Sequence, residues 1–145
     1  MELIVKRFDE LTVNELDEIY KKRIAVFVVE QNCPYQEIDG WDKSAYHMYW
    51  KDEEGLQAYL RILPKNTLYT QPSLGRVISL KRRQGLATTL LQRAIEFAKT
   101  HLGAETLIVG AQTYARGLYE GVGFRQCSTE YLEDGIPHIR MELKT

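Results

Sequence analysis

The chain has 145 residues and a formal net charge of −1, with 44% hydrophobic and 27% charged residues. That is one domain's length, and a chain of this size buries roughly 70% of its unfolded surface, so it needs no disulfide or metal staple. The balanced charge argues against a wholesale polyanion binder, two cysteines are too few for a disulfide framework, and no apolar run nears the roughly 20 residues of a membrane span.

Glu2 to Phe8 is a short β-rich run. Its charged context, MELIVKRFDE, does not read as a signal peptide, and with the reducing compartment that the cysteine count suggests, the expected location is the cytoplasm. Thr12-x-x-Glu15 is a capping box, in which the hydroxyl accepts a free helix amide and the carboxylate reaches back. Leu16, Ile19, Tyr20, Ile24 and Phe27 follow at helical spacing, and the helix runs out near Glu30. QNCPYQEIDGWDK reads as a loop. Tyr46 to Lys51 and Leu56 to Leu63 are strands joined by a tight Asp-Glu-Glu-Gly turn, Lys65 to Ser73 is a connection, and Leu74 to Leu80 is a further strand. Gly85 begins the clearest helix: Leu86, Leu90, Leu91, Ala94, Ala98 and Leu102 share one face, and Gly103 stops it. Thr106 to Ala111 is a nearly all-apolar strand of the kind buried on both faces, and Tyr114 to Gly121 is a short helix. Phe124 to Leu132 and Ile136 to Leu143 flank the hairpin signal Glu133-Asp134-Gly135. The order β-α-β-β-β-α-β-α-β-β, with no repeat or linker, implies a single α/β domain over residues 1–145, with helices covering a central sheet.

Charge is uneven along the chain. From Glu30 through Asp42 there are four acids (Glu30, Glu37, Asp39, Asp42) and no Lys or Arg, whereas Gly55 through Ile95 contains no acid at all. Two solvated surfaces would give that pattern, and so would a site with an anionic ligand at one end and a cationic ligand at the other.

The sharpest local motif is Arg82-Arg83-Gln84-Gly85-Leu86-Ala87, between a strand and the long helix. A glycine turn there exposes backbone amides at a helix N-terminus, which together with the helix dipole attract phosphate, and the two arginines add charge-assisted bonds. Neither G-x-x-x-x-G-K-[ST] nor an early G-x-G-x-x-G occurs, which disfavours P-loop and dinucleotide folds and leaves the pyrophosphate of coenzyme A.

Arg82-x-x-Gly85-x-Ala87 after the strand GRVISL resembles motif A of the GNAT superfamily of acetyl-CoA-dependent N-acyltransferases. Gln112-x-x-Ala115-x-x-Leu118-Tyr119-x-x-Val122-Gly123-Phe124 resembles its motif B. Arg23-x-x-Val26-Phe27-Val28-Val29-Glu30-Gln31, Asp39-Gly40 and Asp134-Gly135-Ile136-Pro137-His138 are similar to the ElaA-type branch, so the resemblance covers essentially the whole chain. Gln112 stands where many relatives carry Asn, and Ala87 replaces a second glycine. The resemblance implies a GNAT-like fold, a mixed, mostly antiparallel sheet of about seven strands flanked by helices. It implies acetyl-CoA as cosubstrate, with the amides of Arg83, Gln84, Gly85, Leu86, Ala87 and Thr88 on the pyrophosphate, beside Arg82 and Gln112. It implies pairing of the pantetheine arm with Val77, Ile78 and Ser79, one of whose amides polarises the thioester carbonyl. Tyr119 would protonate the leaving thiolate, a role suited to a phenol that is neutral at pH 7.

An amine acceptor arrives as ammonium and must lose a proton before it attacks, so a nearby carboxylate can both attract it and serve as base. Glu30, which ends the first helix, is the first base candidate, ahead of Asp39 and Asp42; Gln31 is a candidate pocket residue, and His138 the next base candidate. His47 and His101 read as structural, and Cys33, with no His partner nearby in sequence, is not expected to be an acyl-accepting nucleophile. No Cys/His spacing suggests a metal. The expectation is acetyl transfer to a primary, cationic amine by direct attack in a ternary complex. The alternative is a non-catalytic acyl-CoA-binding sensor or partner-binding domain, which needs neither the Tyr119 acid nor a base. Nucleic acid and membrane partners are not expected; a homodimer is left open.

Overall fold

The first helix starts where its capping box predicts. Thr12 Oγ1 accepts the Glu15 amide at 3.1 Å and the Glu15 carboxylate accepts the Thr12 amide at 2.8 Å, opening α1 (Val13–Ile24). Glu15 also takes the Tyr49 hydroxyl at 2.7 Å and the Lys6 ammonium at 3.0 Å, and so ties the helix to the first strands. Burial alone would raise this carboxyl, but those hydrogen bonds hold it down at about 2. Beyond Ile24 the helix widens into a π-helical turn, Ala25–Glu30.

The computed structural model describes residues 1–81 and 85–145. Arg82, Arg83 and Gln84 of the phosphate-binding reading lie outside the described residues. The strands are β1 (Glu2–Arg7), β2 (Tyr46–Asp52), β3 (Gly55–Leu63), β4 (Ser73–Ser79), β5 (Thr106–Gln112), β6 (Arg125–Gln126), β7 (Tyr131–Glu133) and β8 (Ile136–Lys144). They form one sheet in the order β1-β2-β3-β4-β5-β8-β6, with β7 also on β8. All pairs are antiparallel except β4 with β5. The described strands number eight because Phe124–Leu132 is not one strand. Between β6 and β7, Ser128 Oγ takes the Arg140 amide at 2.8 Å, so a side chain replaces a rung of the ladder.

Two cores sandwich the sheet. On one face Ile19 and Val26 of the first helix pack on Tyr49, Leu56, Tyr59 and Ile78. On the other, Leu90, Leu91, Ala94 and Ala98 of α2 (Leu86–His101) pack on Leu60, Ile62, Leu107 and Val109. The third helix, α3, is short (Arg116–Gly121). Among the described residues, no helix is long and apolar enough to cross a membrane.

The parallel seam defines the rest of the molecule. β4 and β5 register only at Ser73↔Ile108 and Leu74↔Val109. From Gly75 onward β4 stays with β3 and parts from β5. A bulge marks the divergence: Arg61 pairs Gly75 while Tyr59 pairs Ile78, so β4 carries one extra residue, and Arg76 adopts φ +52°. A non-glycine residue held left-handed is strained locally and persists only where its surroundings fix it.

Candidate active site

A cavity of about 370 Å³ opens along that seam. The β4 edge bounds one side. Gly85 caps α2 with φ +65°, and among the described residues no side chain caps the helix and a Cβ on Gly85 would meet nothing within 4 Å. The first-turn amides of an α-helix have no partner within the helix. On the β4 edge, Val77 lines the cavity, Ile78 is buried towards α1, and the Ser79 hydroxyl is a buried oxygen with no partner among the described residues. This edge, unpaired beyond Leu74, is where the sequence reading seats pantetheine. The bulge, which that reading did not anticipate, is what separates the edge from β5.

Tyr119 sits on α3 across the seam, 7% exposed, edge-on to Phe124, and lines the cavity. Its carbonyl accepts the Val122 and Phe124 amides at 3.2 and 3.0 Å, which fixes the end of the helix. Burial raises its pKa, so the phenol remains a proton donor at neutral pH. Gln112 and Gln31 meet here: their side-chain amides exchange hydrogen bonds at 3.2 and 3.3 Å. A residue read for the coenzyme and one read for the acceptor thus form one wall.

The structure corrects the charge reading of the Glu30–Asp42 loop, because three of its acids face arginines from elsewhere. Glu37 holds Arg23 through two bonds of 2.9 and 3.0 Å, and Arg76 at 2.8 Å. Asp42 accepts from Arg23 at 2.8 Å and from Arg61 at 3.1 Å. Asp39 holds Arg61 through 2.7 and 2.8 Å bonds and lies 3.3 Å from Arg76. Asp42 is 2% exposed and Arg23 0%, so this is an internal, balanced ion cluster rather than an open negative surface, and Asp42 is not placed to meet a substrate. Its partners are far away in sequence, so no local pattern announced it. Asp39 keeps contact with the cavity. Burial favours the neutral Asp39 carboxyl, but the Arg61 hydrogen bonds and the charges of Arg61 and Arg76 outweigh it and hold the pKa at about 2.

His47 completes the cluster in a structural role. Nε2 lies 2.9 Å from the Asp42 carbonyl, an acceptor, so the hydrogen is on Nε2, and Nδ1 accepts the Tyr59 hydroxyl at 2.7 Å. Burial lowers its pKa. Arg76 is a site residue that sequence reasoning missed: its guanidinium, through Glu37 and Asp39, ties the β4 bulge to the loop roofing the cavity.

The opposite wall comes from the β7–β8 hairpin. Asp134 and Gly135 both have positive φ (+53° and +76°), the type I′ geometry that the Asp-Gly pair favours. The turn places Glu133, Asp134 and His138 on the cavity. The Cys33 thiol is buried against the Asp134 carbonyl at 3.4 Å. Glu30 is exposed at the end of the π-helical turn, and the described residues lining the cavity do not include it. A Cβ on Gly110 would lie 3.0 Å from the Tyr69 hydroxyl and 3.4 Å from that of Tyr131, so a larger residue there would crowd the Tyr69 phenol. Both tyrosines come from segments with no site signal in the sequence.

A mixed sheet parted at a parallel seam and flanked by helices, with a buried phenol on the cavity at that seam, is the fold of acyl-CoA N-acyltransferases. The family model of the acetyltransferase (GNAT) domain matches residues 15–145. A UPF0039 protein of Schizosaccharomyces pombe is 39% identical over 148 residues, covering 99% of this chain and 97% of the relative. ElaA of Escherichia coli is 39% identical over 137 residues, covering 91% and 89%. The crystal structure of an acyl-CoA N-acyltransferase from Pseudomonas aeruginosa superposes with a TM-score of 0.90 at 36% identity over 99% of each chain. That of E. coli ElaA also gives 0.90, covering 99% of this chain and 100% of ElaA. The chain belongs to the GNAT acetyltransferase family and is ElaA-like; its chemistry is acyl transfer.

Proposed function

We propose that the chain transfers an acetyl group from acetyl-CoA to a primary amine by direct attack in a ternary complex, in the cytoplasm. The observation that carries this reading is that one cavity at the seam holds a proton donor, Tyr119, and a fixed imidazole, His138. The first-turn amides of α2 and Gly85 suit the pyrophosphate. The free edge at Val77–Ser79 suits pantetheine, and an amide of the bulged strand suits the thioester oxygen as charge develops there. Acetyl-CoA supplies the activated acyl carbon. His138, which shares the cavity with Tyr119, takes over from Glu30 as the base: it accepts the proton that the ammonium loses. The neutral amine attacks the acyl carbon and forms the C–N bond; as the C–S bond breaks, Tyr119 gives its proton to the sulfur, and the nitrogen's second proton returns to the phenolate.

The test has two parts. Acetyl-CoA is turned over against a panel of amines and free thiol is measured; a pure acyl-CoA binder releases none. Gly85→Glu puts a carboxylate where the pyrophosphate is read to sit and is expected to abolish coenzyme binding by calorimetry. Unchanged affinity in a folded Gly85→Glu protein removes the coenzyme site from α2.

A further inference from the structure

The hairpin that carries His138 sets two proton acceptors face to face. His138 Nδ1 lies 2.7 Å from the Ile136 carbonyl oxygen. A carbonyl cannot donate, so the hydrogen is on Nδ1, and in the neutral ring Nε2 is the nitrogen left to accept. Nε2 faces Glu133 Oε2 at 3.5 Å, beyond the roughly 2.7–3.2 Å of a closed N–H···O bond. The ring cannot turn away freely: it stacks on Tyr131 at 6.0 Å, and the β7–β8 register puts Tyr131 opposite His138. The Glu133 side chain is 56% exposed and that of His138 9%, and both residues line the cavity that Tyr119 also lines.

A bare imidazole nitrogen opposite a carboxylate is completed by a group with a positive charge and at least two N–H bonds. We propose that Glu133 and His138 form the seat of the acceptor's ammonium group, with Glu133 binding the cation and His138 Nε2 receiving its proton. This rests on the amine-acceptor reading above and moves recognition of the cation from the Glu30–Asp42 loop, where Glu37, Asp39 and Asp42 are paired with arginines, to Glu133 of the hairpin. The proton leaves the ammonium nitrogen for Nε2; Nδ1 keeps its hydrogen on the Ile136 carbonyl, and the resulting imidazolium lies against the Glu133 carboxylate.

The chain has three histidines, so their ring signals are separable by NMR, with His47 and His101 as internal references. The protein is titrated with propylamine, an ammonium at neutral pH, and with 1-propanol, its uncharged counterpart. The amine is expected to shift the His138 ring saturably while propanol does not, and Glu133→Gln is expected to weaken the amine response by about tenfold or more. An amine that moves His138 no more than propanol does, or a Glu133→Gln protein that keeps the wild-type response, overturns the proposal. The thiol assay reports separately on the underlying reading. Amine-dependent thiol release with a silent His138 overturns the seat alone. Amine binding at His138 without thiol release from acetyl-CoA supports the seat and overturns the transfer reading.

Discussion

Two acid-bearing regions border the same cavity, and they do opposite things with their charge. The Glu30–Asp42 loop is richer in acid, yet Glu37, Asp39 and Asp42 are matched by Arg23, Arg61 and Arg76. The β7–β8 hairpin has fewer acids, but Glu133 is half-exposed and faces a histidine across a gap. Charge density along a chain therefore says little about charge offered to a ligand. What counts is whether the fold brings a counter-charge from elsewhere.

The largest effect is expected from breaking the closed region. Arg23→Ala leaves Glu37 and Asp42 buried without their principal partner, and loss of one member of a buried ion cluster costs about 3–5 kcal/mol. Urea unfolding is expected to show a loss of that size. A change under about 1 kcal/mol would mean that the cluster is open to water and that the contrast between the two regions is false.

Why the sequence misled on this loop is a matter of range. Arg23 meets partners 14 and 19 residues away, Arg61 meets one 22 residues back, and Arg76 reaches back 39. No periodicity reports such pairings. By contrast, the capping box at Thr12, the apolar face of α2, the Gly103 stop and the Asp134-Gly135 hairpin are local, and all were legible. Tyr119 and Gly85 were legible because motif spacing carried them. The bulge at Arg76 was not, because a left-handed arginine leaves no mark in composition; only its bonds to Glu37 and Asp39 explain how it is held. The split of Phe124–Leu132 likewise depends on Ser128 meeting Arg140 across the sheet edge.

A change that leaves the charges of both regions intact isolates the chemistry. Tyr119→Phe removes only a hydroxyl from a buried ring, so coenzyme affinity is expected to hold while kcat falls about 10²-fold or more, the lower end for a general acid. A loss below about threefold, with the chemical step shown to limit the rate, would make Tyr119 a wall of the cavity and no more.

Acid should loosen the closed region. The folded Asp39 pKa is depressed from 3.8 to about 2, so its pairing with Arg61 stabilises the fold fully above the ordinary carboxylate range and is lost as pH falls towards 2. Stability is expected to be flat through neutral pH and to fall below about pH 4, with Asp39→Asn showing a shallower fall than wild type. Equal slopes in the two proteins would mean that Asp39 does not contribute. A smaller effect still is expected from Glu133→Gln on stability, under about 0.5 kcal/mol, because the side chain is exposed and its contact with His138 is long.

The contrast is tested most directly by the KM for the best primary amine in the thiol-release assay, compared between Glu133→Gln and Asp39→Asn at one salt concentration. Glu133→Gln is expected to raise that KM about tenfold with unchanged KM for acetyl-CoA, while Asp39→Asn leaves the amine KM within about twofold of wild type. The reverse order, a raised amine KM in Asp39→Asn and a wild-type value in Glu133→Gln, would contradict the account and return the cation to the loop.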